Sequence, residues 1–156
     1  MTAYSITLFL HSWMRWAVVM SALLVVVQAF RGWSGGVAWD ATKVRFASWF
    51  VNTTSIQLVL GLVLYGFLSP ITTAAFSNMG DAMKDSVVRF WAVEHMVMMV
   101  IAVALAHIGA GRVKKAADDQ AKHRAAAIFF TIAIVVILVS IPWAGLTARP
   151  LFRFGL

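Results

Sequence analysis

The stretch VVRFWAVEHMVMMVIAVALAHIGA, residues 87–110, decides the fold. It stays apolar for longer than the roughly 20 residues an α-helix needs to cross the hydrocarbon core of a bilayer. Within it, Glu94 sits beside His95, an expensive placement if the segment is buried in lipid. Three more stretches share its length and character, at residues 4–30, 46–68 and 123–141. The 156 residues are 62% hydrophobic and only 12% charged, with mean hydropathy +0.85, which leaves too little polar surface for a water-soluble domain. The expectation is an all-α integral membrane protein: one transmembrane domain spanning residues 1–156, with a C-terminal tail at 142–156.

Short connectors place consecutive helices side by side and antiparallel, so the simplest topology is an up-down-up-down four-helix bundle. The first connector carries Arg31, Lys43 and Arg45; the third carries Arg112, Lys114, Lys115 and Lys122, with Arg124 next. In the second, Lys84 is offset by Asp81 and Asp85. By the positive-inside tendency, loops one and three face the cytoplasm and both termini lie on the outer side. Trp13, Trp16, Trp91 and Trp143 then form the outer aromatic belt, and Trp33, Trp39 and Trp49 the inner one. The N-terminal segment has no basic residue before Arg15 and no small-residue cleavage site, so it reads as a retained helix. Pro142 ends or kinks the fourth span. Residues 72–85 are expected to form a short amphipathic helix, and the tail to lie along the surface or dock on a partner.

A formal charge of +7 is accounted for by these loops, which removes the case for a nucleic-acid partner; the partner that composition implies is membrane lipid. With no cysteine there is no disulfide, no thiolate metal site and no covalent haem attachment. A phosphate-cradling glycine loop and paired carboxylates are also missing, since Glu94 is the only glutamate. That favours an electron carrier over a catalyst with its own substrate.

Chemistry concentrates in the outer half, at His11, Arg15, Glu94 and His95. His11 and His95 lie roughly 10–12 Å into helices one and three, at about 1.5 Å per residue. Those helices are diagonal in a four-helix bundle, so the two imidazoles can face each other across its centre, as bis-histidine haem b requires. The plainer alternative is two histidines that hydrogen-bond neighbouring carbonyls. Arg15 and Arg89 are candidates to hold a haem propionate, and Arg15 could instead pair with Glu94. Gln57 is a candidate for interhelical hydrogen bonding or for a quinone carbonyl. His107 and His123 are candidates for a second, inner haem. However, the twelve-residue step from His95 turns His107 about 120° around the helix, and His123 is expected to be solvated or at the headgroups. Met99 shares a face with His95 but reads as packing. A bare-metal site of His11, Glu94 and His95 is disfavoured, because adjacent helical residues point about 100° apart.

The chain resembles the small four-helix membrane proteins described as cytochrome b-like in Bacteroidetes-type bacteria, over most of its length. The likeness rests on His11-Ser-Trp-Met-Arg15-Trp16, on Gln57-Leu-Val-Leu-Gly61-Leu-Val-Leu-Tyr65, on Arg89-Phe90 and Glu94-His95, and on Lys122-His123-Arg124 with Ile141-Pro142-Trp143. The family pattern often has a histidine two residues before that glutamine, where this chain has Ser55. The resemblance implies the fold and a cofactor class rather than a reaction.

The expected function is a multi-pass b-type cytochrome of the bacterial inner membrane. It would carry single electrons, with quinone, a larger redox complex or a second copy as candidate partners. The alternative is a haem-free accessory subunit packed against a respiratory or photosynthetic complex.

Overall fold

A computed structural model of the chain describes residues 2–143, 150 and 152. Its secondary structure is helical throughout, with no strand among the described residues. Four helical rods are long and apolar enough to cross a membrane. The first is α1 (Ala3–Gly35); the second is α2 (Ala41–Val63), prolonged by a π turn at Leu64–Leu68. Three short helices follow: α3 (Pro70–Ser77), α4 (Met79–Ala82) and α5 (Ser86–Arg89). A second π turn, Phe90–Glu94, joins α5 to α6 (His95–Lys115), and α7 (Asp119–Ser140) completes the set.

The α1–α2 and α6–α7 connectors are shorter than the apolar pattern implied. Hydropathy marks where lipid would end, whereas a helix ends where its backbone is capped. Gly36 closes α1 in the left-handed conformation, its N–H bonding the Gly32 carbonyl. Asp40 and Asp118 cap the starts of α2 and α7 by accepting backbone N–H bonds. Asp40 also accepts a hydrogen bond from Lys43 Nζ at 2.7 Å, which holds its carboxyl below the ordinary value. A lowered carboxyl pKa stabilises the fold above the unfolded value near 3.9, and that contribution disappears as pH falls through the folded value. Asp40→Asn keeps a capping oxygen but loses the ion pair. It is therefore expected to unfold more readily than the parent at neutral pH, with the gap in detergent melting temperature closing in acid below about pH 4.

The rods pack as a square. α1 touches α2 and α7, and α6 touches the same two, so α1 and α6 are diagonal; the α2–α6 side is the least tightly packed. Buried residues, many of them small, recur at alternating steps of four and three. On α1 they are Val18, Ala22, Val25, Ala29 and Gly32; on α6 they are Ala102, Ala106, Gly109 and Val113; on α7 they are Ala126, Phe130, Ala133 and Ile137, all buried. This repeat keeps one stripe of each helix facing its neighbours, and small side chains let the backbones approach closely. At Gly109 the approach is limiting, because a Cβ would come within 2.6 Å of Phe129 Cβ.

That core fills the end of the bundle containing the α1–α2 and α6–α7 loops. The opposite end is built differently. There, Pro70 starts α3 at its first turn, and the segment expected as one amphipathic helix is two, broken at Asn78. Tyr65 ties the two π turns together: its hydroxyl donates to the Ala92 carbonyl at 2.8 Å, and its own carbonyl accepts from Thr72 at 2.8 Å. Tyr65→Phe should lower stability in detergent by roughly 0.5–1.5 kcal/mol, measured by thermal unfolding, with the helical content unchanged.

α7 ends at Ser140, as expected from Pro142. Ile141 is extended, the conformation that a following proline imposes. Most of the tail lies outside the described residues. Of those described, Phe152 stacks on Trp16 with ring centroids 4.8 Å apart and meets Trp13 edge-on at 6.1 Å; Trp16 also contacts Trp143 at 6.4 Å.

Candidate functional site: a cavity between the diagonal helices

The end of the bundle away from the α1–α2 and α6–α7 loops holds a partly open cavity of about 130 Å³. That is on the order of ten times the room one water needs. Its walls are mostly apolar, with a few convergent polar groups: His11 and Arg15 from α1, Gln57 from α2 and His95 from α6. The matched depth read from the sequence therefore does bring His11 and His95 to one space, from diagonal helices.

His95 is held on several sides. It follows the π turn, which inserts one extra residue into the helical spiral and so resets the direction of every side chain after it. Phe90 and Trp91 flank its ring at 5.8 and 5.4 Å. Its Nδ1 lies 3.0 Å from the Ser140 carbonyl oxygen. A carbonyl can only accept, so Nδ1 carries a proton; in a neutral imidazole that leaves the lone pair on Nε2. Ser140 is the last residue of α7, where carbonyls lack helical partners, so the bond satisfies both groups. Metal-bound imidazoles use this arrangement, one nitrogen oriented by a carbonyl and the other donating to the metal.

His11 is positioned from α2. Gln57 Nε2 donates to the His11 carbonyl at 3.0 Å. Gly61 leaves space beside the imidazole, where a Cβ would stand 3.3 Å from His11 Cε1. Two buried polar atoms here have no hydrogen-bond partner, His11 Nδ1 and Gln57 Oε1. Such atoms are rare in a finished interior. Arg15, one turn on, has its guanidinium carbon 5.5 Å from the Trp16 ring.

Glu94 and Arg89 are not in the cavity wall. The expected option of an Arg15–Glu94 pair is replaced by a bond from Arg89 Nε to Glu94 Oε1 at 2.7 Å, both side chains being partly exposed. A spacing of five residues does not share a face on an α-helix, but it does across the intervening π turn. Arg89 also donates to the Met83 carbonyl at 3.2 Å.

His107 and His123 take separate partners. His107 is exposed, donates from Nδ1 to the Val103 carbonyl at 2.9 Å, and lies 3.4 Å from Ser55 Oγ. The expectation for His123 is a solvated or headgroup-level side chain; it is instead fully buried. It sits where Gly32 has no side chain, edge-on to Trp39 at 4.9 Å, and donates from Nε2 to the Val37 carbonyl at 3.0 Å. The charged residues around it belong to helix ends, and the imidazole turns inward between them to pin the α1–α2 loop. Among the described residues no three His, Asp or Glu side chains gather as a metal site. Iron in a porphyrin needs only two protein ligands.

Ser140, Gly61, Tyr65 and Trp91 were not singled out from the sequence as site residues. Only Ser140 left a signal, since Pro142 fixes where α7 must stop. No family model, curated protein or solved structure matches the chain.

Proposed function

We propose that the chain is a multi-pass protein of the bacterial inner membrane, with both termini outside, that binds one haem b between His11 and His95 and relays single electrons. Quinone or a larger membrane redox complex is the proposed partner. The observation that carries this reading is the pairing of His11 and His95 on one cavity, with His95 Nδ1 committed to a helix-end carbonyl. The donor set suits the group: two imidazoles from diagonal helices, an orphaned His11 Nδ1 and a cation at the wall.

Bound haem supplies a reversible one-electron iron couple. The chain's own part is to hold and insulate it. His11 and His95 would hold the iron. Ser140 fixes the tautomer of His95, and Gly61 and Gln57 set the position of His11. Arg15 is placed to compensate a negatively charged propionate, a role for which the sequence also nominated Arg89. Arg15 lines the cavity and Arg89 does not, so Arg15 is the stronger candidate. Trp16, next to Arg15, forms an aromatic group with Trp143 and Phe152 at that end of the bundle, placed to restrict water.

The test is purification from haem-replete cells. A red preparation with a Soret band and a reducible α band supports the reading. A colourless one that co-purifies with a larger complex favours the haem-free accessory subunit.

A further inference from the structure

Asn52 is exposed on α2, between helix faces that are otherwise apolar. It lies seven residues beyond Arg45, about 10 Å further along the rod, and therefore inside the hydrocarbon layer rather than among headgroups. Its neighbour Thr53 is turned inward and bonded to Ser21 at 2.9 Å, whereas Asn52 makes no side-chain hydrogen bond among the described residues. Ser55, on the same side of α2, approaches the exposed His107 of α6. Around these polar groups stand exposed Ile56, Val59 and Ile108. A carboxamide facing acyl chains has no partner for its two donors or its acceptor, and that is costly in a bilayer.

We infer that the α2 face centred on Asn52, at the α2–α6 seam, is the contact surface for a second copy of this chain. The carboxamide is self-complementary, so two Asn52 side chains related by a twofold axis satisfy each other, which lipid cannot do. α2 is also the rod with most to gain. Only 11% of its apolar window is buried within one bundle, against 44% for α7. The contact rests on the membrane reading but not on haem.

The chain has no cysteine, so one introduced thiol reports on one position. Ile56→Cys lies one turn from Asn52 on the same face, and Val135→Cys on an exposed face of α7 serves as the control. Alkali-washed membranes are treated with a mild oxidant and run without reductant. The expected result is a disulfide dimer for Ile56→Cys and none for Val135→Cys. Adding Asn52→Val should abolish the dimer, and adding Asn52→Gln, which keeps an amide, should retain it. An Ile56→Cys chain that stays monomeric, or that crosslinks equally with Asn52→Val, overturns the interface. Release of the chain by the alkaline wash contradicts the membrane reading and the interface together. Haem content, read separately, bears on neither outcome.

Discussion

His95→Ala and His11→Ala should each strip the purified protein of its Soret and α bands. Changes merely behind a metal ligand cost 10–100-fold in affinity, so removal of the ligand itself should lower the haem-to-protein ratio by at least about tenfold. The two variants should differ in stability. His95→Ala also leaves the Ser140 carbonyl at the end of α7 without its donor. His11→Ala removes a ring whose Nδ1 has no partner to lose. His95→Gln, which retains an amide donor, separates folding from ligation: it should restore expression and melting temperature towards the parent without restoring colour. Recovery of the bands in His95→Gln would mean that His95 is not an axial donor.

The second large effect is expected far from the cavity, at Gly32. A methyl group there would run into the His123 imidazole. That ring is fully buried and tied to the Val37 carbonyl, so it has little freedom to move aside. Overpacking of this kind costs about 1–3 kcal/mol, and Gly32→Ala should lower the melting temperature in detergent accordingly. Gly32→Val should fail to accumulate in membranes. His123→Ala opens the space that the methyl group needs, so the Gly32→Ala/His123→Ala pair should be less destabilised than the sum of the single changes. Simple additivity would show that the two residues do not share the contact.

Much of the bundle was legible because lipid imposes a simple rule: apolar length gives the spans, and loop length gives antiparallel neighbours. The diagonal placement of His11 and His95 followed from that alone, and so did the end of α7 before Pro142. What escaped notice depends on local backbone geometry. The π turn at Phe90–Glu94 has no signature in hydropathy, yet it pairs Arg89 with Glu94 and so removes Glu94 from any partnership with Arg15. His123 misled for a related reason. Its charged neighbours suggested solvent, but Gly32, ninety-one positions earlier, provides the hollow that it fills. Long-range complementarity between a glycine and a ring cannot be read from either local sequence. Gly61 against His11 is a second case of the same kind.

We propose that the cavity binds one haem through two imidazoles. Low-temperature electron paramagnetic resonance of the oxidised protein, with haem quantified against polypeptide, tests it most directly. The expected result is one haem per chain and a single low-spin signal of bis-imidazole type. A high-spin signal, or a haem-free protein from haem-replete cells, would contradict it.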